Sequence, residues 1–243
     1  MTSRQRVDRL LVSRGFFESR ARAQAAIAAG LVTADGILVH KASEEISAEA
    51  AVVAKRPHPY VSRGGVKLAA ALDHYQIDVG GRLCLDVGAS TGGFTEVLLL
   101  RGAKLIFAVD VGHGQLHASL RARSEIVSLE KTDIRSLKPS QLTEQPDLAT
   151  VDVSFISLKL VLLAIGTLLQ SAATIVALIK PQFEVARRDA KKGIVRSPAA
   201  RTAACLEVTT SLTEQGWRVS EPMPSPISGG DGNIEYFVEA ERG

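Results

Sequence analysis

Cysteine is scarce in this 243-residue chain, with Cys84 in an expected strand and Cys205 in an expected helix, so no disulfide framework and no metal or redox spacing can be written. Both are expected to be buried apolar side chains. Long hydrophobic runs are missing too. The most apolar helix, Leu158 to Leu169, is too short to span a bilayer, which argues against a stable membrane association. No leader peptide is visible, because Met1-Thr2-Ser3-Arg4-Gln5-Arg6 runs straight into a charged amphipathic segment, and a cytoplasmic location is expected. There is no internal repeat. A net charge of +3 is small, but it hides an asymmetry: residues 1–67 hold 11 Lys+Arg against 6 Asp+Glu, and the rest hold 18 against 20. A basic N-terminal portion on a slightly acidic body is a footprint of nucleic-acid binding, although a solvated helix face produces the same excess.

What is present is organised around residues 83–94. The apolar run Leu83 to Val87 predicts a buried strand, the small residues Gly88 to Gly93 a turn, and Phe94 to Arg101 a helix. Glycines at 88, 92 and 93 would let a ligand approach the backbone, and the helix start would turn its N–H groups toward it. A dinucleotide fingerprint needs glycine where Ser90 stands, so a smaller and less anionic nucleoside is expected. Asp86 would repel a pyrophosphate and favour a cation. Asp110, after the strand Leu105 to Val109, is placed to accept from both hydroxyls of a ribose, and Asp133, after Ile126 to Leu129, to meet an adenine amino group. Three acids at three successive strand ends suit S-adenosylmethionine, whose sulfonium is positive. Gly88, Ser90, Thr91, Gly92, Gly93 and Phe94 complete the expected cofactor site.

Before this body, helices are expected from Val7 to Gly15 and from Ser19, as cap, to Gly30. A hairpin about Asp35-Gly36 and a short strand at 51–54 follow. Residues 55–61, with two prolines, read as a linker, giving domains 1–54 and 62–243. Ser62 is expected to cap a helix from Leu68 to about Tyr75. Further strands are predicted at Leu148 to Val151, Thr174 to Ile179, Trp217 to Glu221 and Glu235 to Glu239, with a helix from Pro198 to Gln215. Strands alternating with helices predict a parallel sheet covered on both faces, with ligands outside the carboxyl ends of the strands. A basic loop at 187–193 lies over a substrate phosphate or is a solvated turn.

Lys67, Asp152, Lys180 and Glu235 fall at element ends facing the expected ligand. A lysine ending a buried strand is unusual, since burial disfavours its charge. A second lysine nearby strengthens the effect and favours an amine that acts as a base. Lys180 would take the proton of a ribose hydroxyl while that oxygen attacks the methyl carbon. Asp152 and Glu235 would orient the lysines and keep Lys67 charged. Two purely structural salt bridges would leave the same trace in the sequence.

The N-terminal stretch resembles the small RNA-binding domain named after ribosomal small-subunit protein S-four, on Arg6-Val7-Asp8-Arg9-Leu10-Leu11, Gly15, Ser19-Arg20, Ala23, Ile27, Gly30, Val32, Asp35-Gly36 and Lys41. The resemblance implies that Arg6, Arg9, Arg20, Arg22 and Lys41 face an RNA backbone, with Arg63 also assigned to RNA; such contacts position without reading sequence. The body resembles the FtsJ-type ribose 2'-O-methyltransferases, whose Lys-Asp-Lys-Glu tetrad falls on Lys67, Asp152, Lys180 and Glu235. The whole chain resembles the TlyA family, on residues 62–68, 86–95, 110–116, 152–158, 180–185 and 232–237. That family implies a Rossmann-like α/β sheet dependent on S-adenosylmethionine, a small N-terminal α+β domain, and methylation of cytidine 2'-hydroxyls in ribosomal RNA. It also carries the label haemolysin. The chain stops at Gly243, where longer members continue and modify both ribosomal subunits, so the large subunit is the expected substrate. A small-molecule methyltransferase would need no basic N-terminal domain. A haemolysin or a non-catalytic RNA binder would need no tetrad.

Overall fold

The computed structural model describes residues 3–55, 57–186, 189–190 and 192–243, and the chain divides into two units meeting at residues 59 and 60. In the first unit, β1 (Arg4–Arg6) leads directly into α1 (Val7–Ser13), followed by α2 (Arg20–Ala28), β2 (Val32–Ala34), β3 (Ile37–Leu38), β4 (Glu45–Ser47) and β5 (Val52–Ala54). Ser19 caps α2 by accepting from the Arg22 N–H. Asp35 and Gly36 both have positive φ, which closes the β2–β3 hairpin, and Asp35 Oδ1 accepts from the Ala51 N–H to bring in β5. Val7, Leu11, Phe17, Ala23, Ile27 and Val32 fill the core of this unit. The pairing of β1 with β4 was not expected.

The second unit begins earlier than the expected linker end. Val61 is nearly buried and its N–H donates to Glu96 Oε2 at 2.5 Å. Next comes α3 (Gly64–His74), four residues longer at its start than expected; its N-cap is Arg63, with no side-chain cap, so Ser62 does not serve that role. Then follow β6 (Leu83–Val87), α4 (Gly93–Leu100), β7 (Leu105–Val109), α5 (Ala118–Arg121), β8 (Ile126–Leu129), β9 (Leu148–Val151), α6 (Leu158–Leu168), β10 (Ala173–Ile179), α7 (Pro181–Glu184), α8 (Pro198–Glu214), β11 (Arg218–Val219), β12 (Met223–Pro224) and β13 (Tyr236–Arg242). The basic residues Arg187, Arg188 and Lys191 of the expected substrate loop lie outside the described residues.

The sheet runs β11-β13-β10-β9-β6-β7-β8, with β12 also on β13. From β10 to β8 all neighbours are parallel, and β13 is antiparallel to β10. Strand order therefore reverses between β6 and β9, where an open α/β sheet leaves a crevice at its carboxyl edge. Alternate strand residues face opposite layers. Leu85, Val87, Phe107 and Val109 pack with α6 and α8, while Cys84, Ile106 and Ala108 pack with α3 and α4. Asp86 belongs to the second set.

Candidate functional site

Two cavities open at the reversal of strand order and share Gly88, Ser90 and Asp152. The larger, of about 520 Å³, lies across the ends of β6, β7, β8 and β9. Its walls are apolar at Val87, Val109, Ile134, Ile156 and Val161, and its polar groups include Asp110, Gln115 and Asp133. The smaller, of about 360 Å³, is lined by Arg63, Lys67, Thr91, Gly93, Phe94, Asp152 and Ser228 among others. Volumes of this order suit a small molecule.

The expected cofactor residues divide three ways. Ser90, Asp110 and Asp133 line the larger cavity. Asp110 is also structural, for Oδ2 accepts from the Ser90 N–H and Oδ1 from the Gly112 N–H, both at 2.7 Å, and this holds the glycine loop against the next strand end. Asp133 caps its own short turn and pairs with Arg135, which lowers its pKa below the usual carboxylate range. Thr91, Gly93 and Phe94 line the smaller cavity.

Asp86 corrects the sequence reading. Its side chain is fully buried beneath the loop, touching neither cavity: Oδ2 accepts from Thr95 Oγ1 at 2.6 Å and Oδ1 from Thr150 Oγ1 at 3.1 Å. The cause is the period of the strand, which aims residue 86 at α4 rather than at the ligand. Burial, with a smaller push from the Asp152 charge and opposed by the hydrogen bonds from Thr95 and Thr150, raises its pKa to about 7. Gly88 and Gly93 line the cavities, and the loop glycines are also demanded by packing: a β-carbon at Gly88 would strike the Asp152 backbone, one at Gly92 the Leu120 side chain, and one at Gly93 the Ser62 hydroxyl. Gly88 also has φ +82°, so it sets both the turn and the contact between the ends of β6 and β9.

The four candidate catalytic residues form two ion pairs. Lys67 Nζ donates to Glu235 Oε2 at 2.5 Å, with both residues buried. Lys180 Nζ lies 2.5 Å from Asp152 Oδ1 and donates to Ser154 Oγ at 2.9 Å. The β10–β13 register explains why Lys180 and Glu235 share an edge, since each lies one residue beyond the last pair, Ile179 with Tyr236. Lys67 lies within α3, whose close approach to α4 depends on Gly93, where a β-carbon would stand 3.0 Å from the Gly65 backbone nitrogen.

Residues 153–157 carry features the sequence did not signal. Phe155 is 91% exposed with φ +64°, a rare backbone for a bulky residue, and its ring lies 5.1 Å from that of Phe183. It lines the larger cavity. Glu184 accepts from Ser157 Oγ at 2.6 Å and from the Leu158 N–H at 2.8 Å.

In the first unit, Arg6 and Arg20 do not stand clear for a ligand. Both pair with the fully buried Asp8, which also accepts from Gln24 and is held well below the usual carboxylate range, first by Arg6. Arg22 pairs with Glu18, while Arg9 and Lys41 are exposed. Arg63 donates to the Ser228 carbonyl at the smaller cavity.

The model of the FtsJ-like methyltransferases matches residues 60–242, and that of the S4 domain residues 5–52. The 16S/23S rRNA (cytidine-2'-O)-methyltransferase TlyA of Mycobacterium tuberculosis is 45% identical over 98% of this chain and 90% of its own length. The chain is a TlyA-type member of the FtsJ-like methyltransferases. Another TlyA protein, the 23S rRNA (cytidine-2'-O)-methyltransferase of Campylobacter jejuni, is 41% identical over 73% of this chain and 69% of its own. A solved structure from Streptococcus thermophilus, titled as a candidate hemolysin, superposes with TM-score 0.79 at 40% identity, covering 100% of this chain and 90% of that one. Among the described residues no helix is long and apolar enough to cross a bilayer.

Proposed function

We propose that this enzyme transfers a methyl group from S-adenosylmethionine to the ribose 2'-hydroxyl of a cytidine in ribosomal RNA, in the cytoplasm, with Lys180 as general base. The observation that carries the reading is that one member of each Lys–carboxylate pair lines the cavities at the β6–β9 crevice: Lys67, of the buried pair with Glu235, and Asp152, of the half-buried pair with Lys180. Salt bridges alone would serve stability poorly at such a place.

The larger cavity fits the cofactor by its chemistry. It has apolar walls for a purine, carboxylates at Asp110 and Asp133 for hydroxyl and amino donors, and acidity unsuited to a pyrophosphate. Bound there, S-adenosylmethionine supplies a methyl group on a positively charged sulfur, ready for displacement by a nucleophile in line. In its neutral form, Lys180 Nζ would accept the proton that the ribose 2'-oxygen gives up as that oxygen bonds to the methyl carbon and the carbon–sulfur bond breaks. Asp152 and Ser154 fix the direction of that nitrogen. Lys67, oriented by Glu235, offsets negative charge developing on the same oxygen. Phe155 offers a ring beside these groups on which a base can stack. Exposed Arg9 and Lys41 of the S4 domain supply contacts to the RNA backbone, while Arg6 and Arg20 offer only the N–H groups that Asp8 leaves. The large ribosomal subunit is the proposed substrate.

The test is tritium transfer from labelled S-adenosylmethionine to separated ribosomal subunits lacking the modification, with wild type and Lys180→Ala compared. Label on the large subunit, lost in the variant while RNA binding remains, is the expected result. Undiminished transfer by Lys180→Ala would remove the lysine base.

A further inference from the structure

We infer that Glu184 is a positioning residue, whose carboxylate ties the loop carrying Asp152 to the loop carrying Lys180 and so sets the geometry of that pair. The inference rests on the proposed reading of Lys180. Residues 152–157 leave the end of β9 and residues 180–184 leave the end of β10, two neighbouring parallel strands whose ladder ends at Val151 and Ala177. Beyond that point no strand pairing holds the two loops in register. Side chains take over at three places. Asp152 and Ser154 meet Lys180, Phe155 meets Phe183, and Ser157 with the Leu158 N–H meets Glu184.

The third tie differs from the other two. It uses both oxygens of one carboxylate, one on a hydroxyl and one on a backbone N–H, and this fixes the angle between the loops as well as their distance. It also closes the segment that holds Phe155 at positive φ with its ring in solvent. Such a backbone persists only where its surroundings over-determine it, and Glu184 anchors one end of the segment while Lys180 anchors the other. Ser157 is already the cap of α6, its oxygen accepting from the Lys159 N–H. Glu184 therefore connects the start of α6 to the turn that begins at Lys180. A helix cap alone would need only one of these bonds.

The test compares full-length Glu184→Ala, Glu184→Gln and Ser157→Ala with wild type. Three quantities are measured: the single-turnover rate of methyl transfer to unmodified ribosomal RNA, the dissociation constant for S-adenosylmethionine, and amide exchange in residues 153–157. Glu184→Ala is expected to slow transfer about tenfold to a hundredfold, as a misplacement of about 1 Å does, with cofactor affinity little changed. Its exchange at 153–157 rises, whereas exchange at 110–116 does not. Glu184→Gln keeps one acceptor and offers a donor to the Ser157 oxygen, so it restores most of the rate. Ser157→Ala lies between the two and decides the matter should Glu184→Ala fail to fold. Wild-type transfer and wild-type exchange in folded Glu184→Ala or in Ser157→Ala would overturn the inference, as would a fall in melting temperature with no change in either quantity. If wild type transfers nothing to ribosomal RNA, the functional reading fails, and the exchange result alone then supports or refutes the tie.

Discussion

Gly229 passes so close to Glu235 that a β-carbon built on it would stand 2.5 Å from Glu235 Oε1. The loop before β13 is thus packed onto the back of the carboxylate that holds Lys67, and Arg63 secures the same loop through the Ser228 carbonyl. Gly229→Ala is expected to push Glu235 aside and loosen the Lys67 pair. Methyl transfer should fall by about tenfold or more, on the scale of a small misplacement in a site, with the melting curve of the second unit nearly unchanged. Single-turnover kinetics alongside Trp217 fluorescence reports both, since the only tryptophan is buried in that unit.

Asp86 gives a stability prediction with a definite sign. Its folded pKa is raised to about 7 by burial, so between its ordinary value near 4 and about 7 the folded state binds more protons than the unfolded one. Stability contributed by this group is greatest at the acid end and is lost as pH rises through that window, at a slope approaching roughly 1.4 kcal/mol per unit. Asp86→Asn lacks the dependence, while its amide still meets Thr95 and Thr150. Wild type should therefore lose ground to Asp86→Asn in melting temperature as pH goes from about 4 to about 7 and hold a constant difference above. A difference that is flat across the window would refute the assignment.

These two residues show where the sequence was legible and where it was not. Strands and helices of the second unit carry plain apolar runs, and β6 through β10 lie close to where those runs place them. Asp152, Lys180 and Glu235 stand out as polar residues just beyond strand ends, whereas Lys67, expected at an element end, lies inside α3. Asp86 stands in a ligand-loop motif, but the alternation of β6 turns its side chain inward to Thr95. The strands β1 and β4 were missed because Arg4–Arg6 and Glu45–Ser47 have no apolar pattern of their own; pairing across the unit makes them. Two glycines at the start of α3 look like a loop, whereas the missing side chain at Gly65 is what lets Tyr60 pack against the helix. Glu184 and Phe155 lie in stretches that carry the family resemblance, but nothing local shows their roles, which depend on partners 26 to 28 residues away.

Asp8 gives a prediction for the first unit. It is fully buried and bound by Arg6, Arg20 and Gln24, whereas the two arginine side chains are 36% and 48% exposed. Removing a buried carboxylate from its partners costs several kcal/mol, but guanidinium groups that reach water recover part of it, so Asp8→Asn should cost about 1–2 kcal/mol. Because the folded pKa is depressed, the contribution is present above the ordinary value near 4 and disappears as pH falls below it. The unit has neither tryptophan nor tyrosine, so amide exchange in residues 7–13 and 20–28 is the measurement. Exchange there should rise in Asp8→Asn at pH 7, and unchanged exchange would contradict the role given to the buried carboxylate.

The central claim is that the methyl group goes to a cytidine 2'-oxygen by way of the Lys67, Asp152, Lys180 and Glu235 pairs. Nucleoside mass spectrometry of digested ribosomal RNA, after incubation with wild type, Lys67→Met or Lys180→Met, tests it most directly. The account predicts 2'-O-methylcytidine with wild type and its loss, by about a hundredfold or more, in both variants. A methyl group found on the cytosine ring, or 2'-O-methylcytidine formed at the wild-type rate by either variant, would contradict it.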